Sequence, residues 1–113
     1  GDRAVGPDGG IAKLEARLRA SDNLSDENRQ ALEDLVNELK KQIDTLEDAD
    51  AADSIAGFSE GGAREALRKE TDPDLLDLNL QGLERSARNF EASHPKLVSV
   101  VNNLCQQLSN LGI

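Results

Sequence analysis

Two side chains in the sequence are of types that often carry nucleophilic or acid–base chemistry, the single histidine His94 and the single cysteine Cys105. The apolar spacing around them predicts one helix, on which they would lie about 16 Å apart along the axis. A nucleophile and its base must be within hydrogen-bond reach, so these two side chains form no catalytic dyad within one chain. Cys105 falls on the apolar side of the helix, which favours a small buried hydrophobic residue. His94 precedes Pro95, which predicts a turn or cap at the start of the helix, and a pH-sensing role for His94 stays open.

Carboxylates are the other candidate ligands and acid–base groups, and the chain has 22 of them. Asp48 and Asp50 have the spacing of the first two ligands of a calcium loop. Counted from Asp48, however, the sixth position is Asp53 rather than glycine, and the twelfth is Ser59 rather than glutamate. Helical bundles that hold paired metals use two Glu-x-x-His motifs, and one histidine does not suffice for them. We therefore predict a protein that is not an enzyme and has no cofactor and no metal site.

The balance of charges excludes two classes of partner. The 13 Lys and Arg residues are scattered among 22 Asp and Glu residues, which gives a net charge of −9. A basic stripe that could follow nucleic-acid phosphates or an anionic membrane is therefore missing. The sequence also has no apolar run of about 18 residues that could span a bilayer. One cysteine fits a reducing compartment, so we expect a cytoplasmic protein; whether an export signal preceded Gly1 stays open.

The elements that would position these side chains are helices. The core residues are mostly leucine, and β-branched residues are too sparse for several strands. We predict an all-α fold, a small antiparallel helical bundle built from two helical hairpins with four to five helices. Residues 1–10 are glycine-rich and without period, so we expect a disordered tail or cloning remnant there. Residues 11–113 then form a single helical domain.

Within this domain we predict an N-terminal hairpin over residues 11–47, with a first helix from Ile11 and a second helix capped by Ser25. Residues 48–70 are acidic and rich in small residues, and form a connecting segment. Gly61 and Gly62 cost a helix about 2 kcal/mol relative to two alanines, so we expect a loose helix with a break at this point. A C-terminal hairpin over residues 72–112 follows, with Asp72-Pro73 as its first helix start and Gly112 as its helix stop.

The two helices of the C-terminal hairpin share one apolar period. Their leucines recur with a 4-3-4-3 spacing that keeps one side of each helix dry. A second, flatter side of the first helix carries Leu75, Leu78, Gly82 and Ser86, where a neighbouring helix could approach closely. The predicted core stripe consists of Leu76, Leu80, Leu83, Phe90, Leu97, Val101, Leu104, Leu108 and Leu111.

The opposite side of the last helix is polar but carries no charge. Charge depletion is typical of interface cores, and amides are less costly to desolvate than charges when they find hydrogen bonds. This side is therefore a candidate interface, although amides that simply face water are an equally good interpretation. Its residues are Ser99, Asn102, Asn103, Gln106, Gln107 and Asn110.

The run Phe90-Glu-Ala-Ser-His-Pro-x-Leu97, the apolar helix after it and the closing Asn110-Leu-Gly-Ile113 resemble a known family. It comprises small uncharacterised bacterial proteins grouped as domain of unknown function forty-four-oh-four. The resemblance extends over about residues 11–113, with its specific parts at residues 90–98 and 110–113. It implies a small, cytosolic, bacterial helical protein with a leucine-rich hairpin followed by a His-Pro-containing hairpin, and it implies no activity.

Three hypotheses of function remain. The first is a non-enzymatic module that self-associates, for example as a homodimer, or docks on an unknown protein partner through the charge-poor last helix. The second is a small-molecule or lipid carrier with a cavity between the helices, which the lack of aromatic residues disfavours. The third is an acidic decoy for a basic partner, suggested by the acidic run between Asp44 and Glu60.

Overall fold

Capping residues and leucine periodicity divide the described part of the chain into five α-helices: α1 (Pro7–Ala20), α2 (Asp26–Asp44), α3 (Ala49–Ala66), α4 (Pro73–Arg88) and α5 (Pro95–Leu111). The computed structural model describes residues 7–22 and 24–111, and these ranges contain no strand. The all-α prediction is confirmed, and the helices pack with antiparallel contacts into one globule of 36 × 32 × 24 Å.

Side-chain caps start three of the helices, two of them at the predicted positions Ser25 and Asp72. The Ser25 hydroxyl accepts a hydrogen bond from the backbone N–H of Asn28 at 3.1 Å, and Asp48 accepts one from Ala51 at 3.1 Å. The Asp72 carboxylate accepts from the N–H groups of Asp74 and Leu75, directly before Pro73 at the first helical position. Each of these bonds satisfies a backbone donor that the helix itself leaves without a partner.

Helix α1 begins at Pro7, four residues before the predicted Ile11. Residues 7–10 of the predicted tail are therefore the first turn of a helix, and residues 1–6 lie outside the described ranges. The other end of α1 is held by Arg29 of α2, whose guanidinium donates hydrogen bonds to the backbone carbonyls of Leu18 and Ser21. This half-buried arginine joins the two helices of the N-terminal hairpin by satisfying carbonyls at the end of α1.

The prediction of a helix break at Gly61 and Gly62 is wrong, because α3 runs without interruption from Ala49 to Ala66. Both glycines are buried against α4 and α5. A Cβ atom on Gly62 would lie 3.0 Å from Leu80 Cδ2 and 3.4 Å from Leu108 Cδ1, and one on Gly61 would meet the side-chain amide of Asn79. The glycines therefore let α4 approach α3 closely, and the packing gained there offsets their low helix propensity.

The acidic, small-residue segment is thus the centre of the fold rather than a connector. Helix α3 contacts all four other helices, and it packs most extensively against α1 and α4. A Cβ on Gly10 of α1 would lie 3.2 Å from Ala56 Cβ, so this second approach is also close. Small side chains on two sides of α3 allow neighbours to pack on both.

The core lies between α3 and the leucine stripes of the other helices. Seven residues of the predicted core stripe are buried: Leu76, Leu80, Leu83, Leu97, Val101, Leu104 and Leu108. Leu111 and Phe90 are half-buried and pack against this core. Phe90 does not belong to α4, which ends at Arg88, but lies in the turn that follows. Gly112, the predicted stop of α5, lies outside the described residues.

Candidate interaction surface

Helix α5 buries one side and exposes the other. Its buried side chains are Leu97, Val100, Val101, Leu104, Cys105 and Leu108. They pack against α2, α4 and α3, which together cover the apolar arc of the helix. An arc that wide needs more than one neighbour, and α2 and α4 supply them on the two flanks.

The remaining side of α5 carries the six predicted interface residues, which we call the amide face: Ser99, Asn102, Asn103, Gln106, Gln107 and Asn110. Gln107 is half-buried and the other five are exposed. None of the six side chains hydrogen-bonds to another residue that the structure describes. By contrast, the side-chain amides of Gln30 and Gln81 each donate a hydrogen bond to a carboxylate on their own helix. Gln30 donates to Asp34, four residues later, and Gln81 donates to Asp77, four residues earlier.

Two open grooves flank the amide face. The groove between α4 and α5 has a volume of about 340 Å³, and its lining includes Asn102, Gln106, Asn110 and the half-buried Glu84. The groove between α2 and α5 has a volume of about 430 Å³ and is lined by Ala31, Leu35, Asn103, Gln106, Gln107 and Asn110. Gln106 and Asn110 border both grooves, so they form a ridge between two depressions.

Charges stay at the edges of this surface. From Leu97 to Leu111 the only ionisable side chain is Cys105. Lys96, one residue before, lies 3.9 Å from a carboxylate oxygen of Glu38 on α2. The amide face is therefore an uncharged surface on a strongly acidic protein.

Cys105 is a buried thiol and not a reactive one. It is 5% exposed, and its sulfur lies 3.8 Å from the backbone carbonyl oxygen of Leu80. Burial, together with the charge and the hydrogen bond of the Glu84 carboxylate, raises the pKa of the thiol to about 12. The thiolate, which is the nucleophilic form, is therefore disfavoured at neutral pH.

His94 and Pro95 form the turn before α5. The backbone N–H of His94 donates to the carbonyl of Phe90 at 2.6 Å, and its own carbonyl accepts from Leu97 in the first turn of α5. The imidazole Nδ1 lies 3.0 Å from the hydroxyl of Ser93, and the ring packs edge-on against Phe90 at a centroid distance of 5.9 Å. These contacts give His94 a structural role in the connection between α4 and α5.

The aspartates with calcium-loop spacing do not converge on a metal site. Asp48 caps α3, while Asp50 and Asp53 are exposed on that helix. Within residues 7–22 and 24–111 no group of three His, Cys, Asp or Glu side chains is arranged to hold a metal ion. In the same ranges no helix is both long enough and apolar enough to cross a bilayer.

Two features were not predicted from the sequence. Leu75 and Leu78 of α4 are exposed, at 41% and 65%, whereas a Cβ atom on Gly82 of the same side would overlap the ring of Phe58. Glu65 of α3 is buried at 2% exposure, with its carboxylate oxygens 3.6 Å and 3.2 Å from the guanidinium groups of Arg64 and Arg68. The displacement of Leu75 and Leu78 from the 4-3-4-3 stripe was a visible signal for the first feature. For the second feature the sequence carries no signal, since Glu65 looks like an ordinary surface residue.

No curated protein and no solved structure is significantly similar to this chain. One family model, described as Domain of unknown function (DUF4404), matches residues 8–113. The match covers all five helices apart from the first residue of α1. The chain therefore belongs to the DUF4404 family.

Proposed function

We propose that this protein is a non-enzymatic interaction module whose amide face docks on another protein. The observation that carries the proposal is the set of six uncharged polar side chains on one face of α5 with no hydrogen-bond partner among the described residues. Amide groups offer both donors and acceptors, so a partner with a polar backbone edge or its own amides can satisfy them. Uncharged groups are also desolvated at lower cost than the carboxylates that dominate the rest of the surface.

The two flanking grooves support the same function. A partner that seats side chains in both grooves would enclose the ridge of Gln106 and Asn110 and exclude water from it. Polar contacts shielded in this way contribute more to binding than contacts at a wet rim. We propose a cytoplasmic location for this module, which the single cysteine supports because exported small domains more often carry disulfide-bonded cysteine pairs.

Site-specific photo-crosslinking in cells of the source organism tests the proposal. A photoreactive amino acid at Gln106 should give discrete adducts with a protein, because its side chain would lie inside the contact. The same group at Asn37, an exposed amide on α2, is the matched control and should give no such adducts. Adducts that are absent at Gln106, or identical at both positions, would contradict the proposal.

A double substitution provides an independent test. Asn103→Glu and Gln106→Glu together place two charges on the amide face and should abolish the crosslink formed from a photoreactive group at Asn102. Both positions are exposed, so the melting temperature should change little. An adduct that forms equally well with the two charges in place would exclude the amide face as the contact.

A further inference from the structure

A second surface, on the outer side of α4, is also without a partner in the fold. Five exposed residues repeat there with a 4-3-4-3 spacing and therefore follow one line along the helix. We call this line the outer stripe: Asp74, Leu78, Gln81, Arg85 and Arg88. Leu78, at 65% exposure, is the most exposed large apolar side chain that the structure describes, and it lies near the middle of the stripe.

The charges of this side are separated by sign along the helix. Asp74 and Asp77 lie in the first two turns of α4, and Arg85 and Arg88 lie in the last turn. All four are exposed. None of them forms an ion pair with another residue of the described ranges, whereas several charges elsewhere do, for example Arg17 with Glu60 at 2.7 Å.

The positions of these four charges are symmetric about Gln81. Asp74 and Arg88 are each seven residues from Gln81, about 10 Å along the axis, and Asp77 and Arg85 are each four residues from it, about 6 Å along the axis. If a second α4 runs antiparallel with its Gln81 facing the first, each aspartate faces an arginine. A two-fold axis generates this arrangement from identical chains, because an isologous contact pairs residue i with j and j with i.

We infer that α4 pairs with α4 of a second copy of the chain, antiparallel and across a two-fold axis near Gln81. Four ion pairs, Asp74 with Arg88 and Asp77 with Arg85 in each direction, would surround a centre made of Leu78 and Gln81 from both copies. Two copies with a net charge of −9 repel each other at long range. Asp74 and Asp77 together with Arg85 and Arg88 bring equal numbers of both signs into the contact, so these four side chains do not add to that repulsion.

The dimer is expected to be weak and reversible. A single pair of 16-residue helices buries less surface than the roughly 1,200–2,000 Å² of a stable complex. Exposed ion pairs are each weak, and salt screens them. The inference is independent of the amide face, which lies on a different helix.

Charge reversal at the two ends of α4 tests the inference. One variant carries Asp74→Lys and Asp77→Lys, and the other carries Arg85→Glu and Arg88→Glu. Each variant alone has like charges facing across the two-fold axis, so its dimer should weaken roughly tenfold or more. A one-to-one mixture restores all four opposite-charge pairs and should form a heterodimer. Sedimentation velocity up to about 1 mM protein detects each species.

Matched variants separate this effect from net charge. Asp50→Lys with Asp53→Lys, and Lys40→Glu with Lys41→Glu, change the net charge by the same amounts at exposed positions outside α4. These proteins should dimerise like the unmodified chain, and so should the amide-face variant Asn103→Glu with Gln106→Glu. Leu78→Ser should abolish dimerisation with an unchanged melting temperature of the monomer.

The unmodified chain remaining monomeric up to about 1 mM would overturn the inference. So would a dimer that the two stripe variants leave intact, or a mixture of them that does not associate. Loss of dimerisation in the amide-face variant alone would instead assign self-association to α5.

Discussion

Helices α3 and α5 are nearly equal in length, at 18 and 17 residues, but they differ in how the fold uses them. Helix α3 consists mainly of alanine, glycine and serine, and it contacts all four other helices. Helix α5 has a leucine and valine stripe on one side and an uncharged polar side exposed to solvent. A helix of small residues can be approached closely from several sides, whereas an amphipathic helix is covered from one.

The difference shows that apolar periodicity alone does not identify the centre of a small bundle. Helix α3 contains one isoleucine and one phenylalanine as its large apolar residues, Ile55 and Phe58, yet it buries nine residues. What places it at the centre is the absence of bulk, which allows backbones to come close. What leaves part of α5 free is the sharp division between its two sides.

The largest effect is expected from the buried side of α5. Leu104→Ala should lower the free energy of unfolding by about 2–5 kcal/mol, because Leu104 is fully buried and its truncation leaves a cavity. Asn103→Ala, one residue before on the amide face, should change it by less than about 0.5 kcal/mol. Urea unfolding of both variants measures the contrast. Similar losses for the two would mean that the sides of α5 are not divided as described.

A smaller effect is expected from bulk added to α3. Gly62→Leu should lower the free energy of unfolding by about 1–3 kcal/mol, since its side chain would overlap Leu80 and Leu108. Gly57 is the matched control, because a Cβ there meets nothing within 4 Å. Gly57→Ala should raise the stability by up to about 1 kcal/mol through helix propensity. A stabilising Gly62→Leu would refute close packing as the role of that glycine.

The buried thiol of α5 predicts a stability change at high pH. The pKa of Cys105 is raised from 9.0 to about 12 in the folded protein, mainly by burial. The unfolded chain therefore loses the thiol proton first. The protonated thiol's contribution to the free energy of unfolding is fully present below pH 9 and is lost as the pH rises toward 12. The free energy of unfolding falls in this range by up to ~1.4 kcal/mol per pH unit.

Comparison with Cys105→Ala isolates this contribution from the lysines that titrate in the same range. The unmodified protein should lose stability more steeply than the variant between pH 9 and pH 11 in thermal unfolding. Parallel stability curves would argue that the thiol ionises freely in the folded state.

The smallest effect concerns the buried charge of α3. The Glu65 side chain is 3% exposed and that of Arg68 is 50% exposed, with 3.2 Å between their charged groups. Arg68→Ala should lower the free energy of unfolding by about 1 kcal/mol, because the Glu65 carboxylate stays buried and loses a nearby cation. The loss is no larger because solvent screens the interaction of the half-exposed arginine. Differential scanning calorimetry of the variants measures this loss, and Lys40→Ala, at an exposed position on α2, should show no measurable loss in the same experiment.

Much of the helical architecture could be predicted from local chemistry. Ser25 and Asp72-Pro73 start helices where their side chains and fixed dihedral angle favour a start, and the stripe of α2, with Leu32, Val36 and Leu39, is buried as its period predicts. These signals depend on residues within a few positions of one another, so they survive in any tertiary context. The polar side of α5 was visible for the same reason.

Other features depend on partners far away in sequence. The burial of Leu97 and Leu108 follows from their own periodicity, but the exposure of Leu78 depends on where α3 lies beside α4. The sequence by itself determined the starts of α2, α4 and α5, the dry faces of these helices and the uncharged side of α5. Only the tertiary structure decided that Gly61 and Gly62 continue a helix, because the packing that offsets their low propensity comes from Leu80 and Leu108, which lie more than fifteen residues away.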